Sequence, residues 1–163
     1  MYRMILRLDV GSQAEDVRLK NTDGKEVSLG DYLGKSNIVL IFFLGGFDMH
    51  SMRSLRDFVN QYHELKGLDA EVIAVTPELP GKVQTLTGNL KPPFILLSDP
   101  DLNAVQKYDV YNPDTNWTWP AAFIIDKSSV IQYSFRGASP PNTPDIGYIT
   151  MKLRQMAGQQ VKQ

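Results

Sequence analysis

Six consecutive apolar residues, Ile38-Val39-Leu40-Ile41-Phe42-Phe43, run straight into Leu44-Gly45-Gly46. A continuous run rich in β-branched and aromatic side chains reads as a strand covered on both faces. The two glycines break it. A helix is expected to begin near residues 48–51, because Met52, Leu55, Phe58, Val59, Tyr62 and Leu65 recur with helical period. Gly67 is placed to cap its C-terminus. Glu71-Val72-Ile73-Ala74-Val75-Thr76 reads as a second buried strand. Strand, crossover helix and strand make the two strands parallel neighbours.

Other elements attach to this unit. Residues 16–20 and 25–28 flank Asn21-Thr22-Asp23-Gly24, whose Asp-Gly supplies a tight turn, so an N-terminal β-hairpin is expected. A short helix over 80–90 and a third strand over 94–98 follow. Asp99-Pro100-Asp101 opens another short helix through Lys107, with an aspartate as N-cap. Residues 111–119 form a polar, aromatic loop. Residues 121–126 and 130–136 form an antiparallel hairpin, 138–144 a Pro-rich connector, and 145–156 a last helix with Ile146, Ile149, Leu153 and Met156 on one face. The expected fold is α/β: a central mixed sheet with helices on both faces. The 163 residues suit one domain over 1–163, with 158–163 a polar, frayed tail.

Composition narrows the function. A net charge of −1 gives no drive toward nucleic acid or anionic lipid. No apolar run approaches the ~20 residues of a membrane span. The first nine residues lack the apolar core of a signal peptide, so a cytoplasmic location is the expectation. The chain has no cysteine, hence no disulfide, no thiolate nucleophile and no cysteine-based zinc site.

Several segments fall together in order. Val10-Gly11 precedes Ala14-Glu15-Asp16-Val17-Arg18-Leu19, and Asp23-Gly24-Lys25-Glu26-Val27-Ser28-Leu29 precedes Gly34-Lys35 and the apolar strand. Leu97-Ser98-Asp99-Pro100, Tyr108-Asp109-Val110 and Pro120-Ala121-Ala122-Phe123-Ile124-Ile125-Asp126-Lys127 follow. Each is loose alone, but their order and spacing resemble the thioredoxin-fold redoxins. Within these, the chain is similar to the alkyl hydroperoxide reductase/thiol-specific antioxidant family that includes the peroxiredoxins. The resemblance runs from about Val10 to Met156 and implies a thioredoxin-like fold and oxidoreductase or antioxidant chemistry.

That chemistry, in the family, depends on a cysteine at the first turn of the helix after the central strand, as Thr-x-x-Cys or Cys-x-x-Cys. The corresponding residues here are Asp48-Met49-His50-Ser51. Asp48 takes the threonine or first-cysteine place and Ser51 the second. A helix N-terminus stabilises a thiolate through its free N–H groups and partial positive charge. A serine hydroxyl there stays protonated and needs a paired base. It also has no sulfenic acid or disulfide state. The resemblance further implies an arginine near the strand that starts at Pro120, and proline fills that place. Pro120 instead fits the thioredoxin-type pattern, in which a cis proline lies beside the redox site.

Other uses of these residues stay open. Asp48, His50 and Ser51 could form a catalytic or metal-binding trio, yet aspartate and serine are also preferred helix N-caps. A metal needs three or four converging ligands, while His50 and His63 stand more than three turns apart on one helix. The fold's copper chaperones use paired cysteines, which this chain lacks. No cofactor is expected. Met49 and Met52 flank the site and could be oxidised or simply pack. Phe47, Tyr111, Trp117 and Trp119 either cluster as a binding face or close the core.

The expectation is therefore a redoxin-like protein without thiol peroxidase activity. It would bind an unidentified protein or small molecule at the face of Phe47, Met49, His50, Trp117 and Trp119, beside the active-site-equivalent positions Asp48, Ser51 and Pro120. A homodimer is an assembly the resemblance allows. The alternatives are a thiol enzyme whose cysteine has been replaced, at Ser51, and a hydrolase-like use of Ser51 with His50.

Overall fold

The computed structural model describes residues 8–161, with side chains to Gly158. At its centre is β3 (Asn37–Phe42), every residue of which is buried. Alternate side chains leave a strand on opposite faces. Val39 and Ile41 thus join one hydrophobic cluster, while Ile38, Leu40 and Phe42 join another. The unbroken apolar run follows from this: both faces of the sheet are covered.

The sheet has seven strands: β1 (Arg18–Lys20), β2 (Glu26–Ser28), β3, β4 (Ala70–Thr76), β5 (Ile95–Ser98), β8 (Ala121–Ile125) and β9 (Ile131–Arg136). Their order is β2-β1-β5-β4-β3-β8-β9. β3 pairs parallel with β4, and β4 with β5, while β8 runs antiparallel to β3. Helices α1 (Met49–Asn60), α2 (Tyr62–Gly67), α3 (Pro80–Leu90) and α5 (Ile146–Val161) supply Leu55, Phe58, Leu65, Val83, Ile149 and Leu153 to the first cluster. The second is covered by α4 (Asn103–Lys107), through Ala104 and Val105, with Tyr108 and Val110 after it. This is the mixed-sheet, thioredoxin-like α/β fold.

Five local features differ from the sequence reading. The N-cap of α4 is Leu102, in the left-handed conformation at φ 60°, rather than an aspartate; Asp99 reaches the helix start from three residues earlier. The long helix after the glycines divides at Gln61 into α1 and α2. Tertiary contact rather than a breaker residue accompanies the break: Tyr62 donates its hydroxyl to the Glu71 carboxylate at 2.9 Å. Gly67 is the last residue of α2 rather than its cap; Leu68 caps it and Asp69 takes the left-handed turn at φ 59°, a conformation that aspartate tolerates better than most residues. Residues 111–119 are not wholly loop, because β6 (Tyr111–Asn112) and β7 (Trp117–Thr118) form a small antiparallel ladder. Finally, α5 continues past Met156 and Gly158 to Val161. The added residues include two glutamines, good helix formers, and no proline. Residues 162–163 of the expected tail lie outside the described residues.

Candidate functional site

The chain leaves β3 through Leu44 and turns at Gly45, whose φ is +146°. Only glycine fits there. A Cβ would come within 2.5 Å of Glu78 Oε1 and 2.8 Å of Phe47 Cε1. The next glycine uses the same carboxylate: the Gly46 N–H donates to Glu78 Oε1 at 2.7 Å. Glu78 thus pins the turn from 32 residues away. No local sequence pattern links Glu78 to the glycines. The Ser98 hydroxyl in turn donates to the Glu78 carbonyl.

Asp48 is the N-cap of α1. Its Oδ2 accepts both the Ser51 N–H and the Ser51 hydroxyl, each at 2.8 Å. The serine oxygen accepts the Leu44 N–H at 3.0 Å. Leu44's carbonyl receives Trp117 Nε1–H at 2.8 Å and the Thr76 hydroxyl at 3.2 Å. A closed network therefore joins the end of β3, the start of α1 and the β6–β7 ladder. Ser51 sits inside it, only 2% exposed. No hydrogen bond links His50 to Ser51; the hydroxyl proton is directed at Asp48 instead. The geometry is that of a helix cap extended by one hydroxyl, not of a serine activated by histidine.

The aromatic residues do come together. Phe47 meets Trp117 edge-on, with ring centroids 6.4 Å apart. Leu44, Phe47, Trp117, Trp119, Pro120 and Pro140 line a cavity of about 300 Å³. Trp119 is held by its N–H to the Val110 carbonyl at 2.8 Å, and the Pro120 carbonyl accepts the Gly137 N–H at 2.7 Å. The Trp119–Pro120 peptide is trans, since no cis bond occurs among the described residues. Met49 faces a different hollow, with Arg53 and Arg56, on the far side of Phe47. Tyr111 pairs with Thr118 in the ladder.

Arg136 lies across β8–β9 opposite Ala121, one residue from Pro120. It does not serve this site. Its guanidinium donates to the carbonyls of Leu8, Tyr108 and Asp109 at 2.6–3.1 Å and stacks over Phe123. Burial pulls its pKa down. Among the described residues, no group of three or more metal-ligating side chains converges.

The model of the AhpC/TSA family matches residues 10–134. The chain belongs to the AhpC/TSA family. Peroxiredoxin Bcp of Bacillus subtilis is 29% identical over 128 residues, which is 75% of this chain and 81% of that protein. Peroxidoxin BcpB of Mycobacterium tuberculosis superposes with a TM-score of 0.80 at 15% identity, covering 91% of this chain and 97% of that one. A cysteine-to-serine mutant of the peroxiredoxin 6 of Arenicola marina does so with 0.83 at 18% identity, over 91% and 73%. The two structural likenesses carry the fold. The family match adds the redoxin relationship.

Proposed function

We infer that this protein is a redoxin-family member that has given up thiol peroxidase chemistry and works as a binding module. The carrying observation is the state of Ser51 in a chain without cysteine. Its hydroxyl donates to Asp48 and accepts from Leu44, and it is buried. In this reading Asp48 and Ser51 occupy the places of the family's Thr-x-x-Cys. The active-site-equivalent corner has become a rigid cap, and what remains open beside it is the cavity of Phe47, Trp117, Trp119 and Pro120. Its lining is mostly apolar, and the Trp117 N–H is already committed to Leu44. That chemistry suits a small apolar molecule or an apolar side chain of a partner. A cytoplasmic setting completes the reading and rests on the sequence alone.

Peroxide consumption with dithiothreitol tests the first half: no turnover above the buffer rate is expected, and turnover by the cysteine-free chain overturns the reading. The second half is tested with the uncharged dye Nile red. Both tryptophans of the chain, Trp117 and Trp119, line the cavity. Dye binding should therefore quench indole emission, and Trp119→Ala should weaken it. Dye that binds without changing indole emission places the ligand elsewhere and overturns this half.

A second reading is a thiol enzyme whose cysteine at position 51 has been replaced by serine. The burial of Ser51 at the first turn of α1 favours it, and Asp48 argues against it. A carboxylate oxygen 2.8 Å from the Ser51 hydroxyl oxygen opposes a thiolate there.

A further inference from the structure

Phe47 separates two concave surfaces. On one side is the apolar cavity; on the other, an open groove runs between α1 and α3. The groove consists of two adjoining hollows of about 620 and 440 Å³. Both are lined by Gly46, Phe47, Met52 and Arg56, so they are continuous. Apolar side chains stand out around it. Phe47 is 70% exposed and Met49 68%, and both line the first hollow. Large apolar side chains exposed this close together mark an interaction surface.

The charges of the lining are asymmetric. Arg53, Arg56 and Lys82 contribute three cations, and none of them makes an ion pair among the described residues. Two carboxylates share the groove, Asp57 and Glu78. Glu78 is spent on the Gly46 N–H. A second copy of the chain is a poor occupant. A two-fold contact would set this lining, with its excess of cations, against a second lining of the same excess. The groove is also long and open, spanning α1 to Asn89 on α3, which suits an extended segment better than a compact small molecule.

We propose that this groove docks a partner-protein segment in which acidic residues flank an apolar side chain. The apolar side chain seats against Phe47 and Met52, and the carboxylates meet Arg53, Arg56 and Lys82. This goes beyond the cavity reading and does not depend on it.

The test selects phage-displayed random dodecapeptides on the whole protein. Enriched peptides are resynthesised with a fluorescein label and titrated by anisotropy against the wild type, R53E/R56E and F47S. All of the altered side chains are exposed, and circular dichroism checks that the variants stay folded. Enrichment of Asp or Glu around Leu, Ile or Phe is expected. Each variant should bind at least about tenfold more weakly, and added salt should weaken wild-type binding. Absence of enrichment, sequences without acidic bias, or equal affinity for R53E/R56E overturns the proposal. So does a wild-type dimer that R53E/R56E dissociates, because a second copy would then be the occupant. R53E/R56E should still quench its indoles with Nile red, so failure of the groove and failure of the cavity read out separately.

Discussion

Asp48 and Asp99 each close a helix start, one at the glycine turn after β3 and the other after β5. Asp48 is half-buried and accepts two hydrogens from one residue, Ser51. Asp99 is 1% exposed and accepts the N–H groups of Asn103 and Val105, each at 3.0 Å. Both carboxylates accept N–H groups at a helix start, Asp48 as the N-cap and Asp99 from three residues before the N-cap Leu102, and their surroundings differ. Burial of Asp99 pushes its carboxyl up to about 6, against the backbone N–H bonds that lower it. Around Asp48 lie an apolar cavity and a basic groove instead of core. One aspartate is sunk into the fold and holds the five residues of α4. The other ties down a surface corner whose flanking residues, Phe47 and Met49, are exposed.

The sharpest way to test what holds the Asp48 corner is to leave Asp48 alone. Gly45→Ala places a methyl group 2.5 Å from Glu78 Oε1 at a φ of +146°. Such a backbone region alone costs about 1–3 kcal/mol, and the clash adds to it. A loss of about 3 kcal/mol or more in urea denaturation is expected. A loss under about 1 kcal/mol would mean that the turn is soft and that the Asp48–Ser51 cap holds the corner alone.

Asp99 should show itself through pH. Its folded pKa is raised from 3.8 to about 6, so the folded state holds a proton that the unfolded state has released. Stability should therefore fall as pH rises from about 4 to about 6, then level off. At about 1.36 kcal/mol per pH unit, the full effect is roughly 3 kcal/mol. Asp99→Asn should flatten this part of the profile, measured as urea stability at pH 4, 5, 6 and 7. An unchanged slope in the variant would remove the distinction between the two aspartates. Asp9 and Asp16 contribute the opposite trend at lower pH, since hydrogen bonds from Ser134 and Ser28 lower their pKa values.

Asp48→Ala should have a smaller effect, about 2 kcal/mol. Loss of an N-cap costs about 1 kcal/mol, and the buried Ser51 hydroxyl loses its acceptor. Asp48→Ala/Ser51→Ala removes donor and acceptor together and should recover part of that loss. Failure to recover would show that the hydroxyl's other bond, from Leu44, matters more.

Much of this was legible in the sequence, for physical reasons that differ by residue. The run from Ile38 to Phe43 announced a strand covered on both faces because it is short, rich in β-branched and aromatic side chains and stopped by two glycines. Asp48 was legible as a cap because capping is local: the acceptor and its donor are three residues apart. Glu78 was not, since its bond to Gly46 spans 32 residues. The tie from Trp117 to Leu44 spans 73. The clustering of Phe47 with Trp117 and Trp119 could be posed but not decided from spacing. Met49 was grouped with them in sequence, and the helix start turned it to the groove instead.

A cysteine placed at position 51 brings the comparison down to a single group. The α1 N-terminus would favour its thiolate by about 0.3–1 kcal/mol, up to about 2 when partly buried. The Asp48 carboxylate would oppose it by more. Two like charges 4 Å apart repel by about 4 kcal/mol at an effective dielectric of 20, and these groups would be closer. The carboxylate wins, so Ser51→Cys alone should carry a thiol whose pKa lies above the ordinary value near 8.5. Asp48→Thr/Ser51→Cys removes the charge and leaves the helix N-terminus, and the pKa should drop by a unit or more. Absorbance at 240 nm against pH measures both, and peroxide consumption with dithiothreitol should follow the same order. If the single variant already titrates below about 7, the cap at Asp48 is not what bars thiol chemistry from this corner. The redoxin site would then have lost nothing but its sulfur.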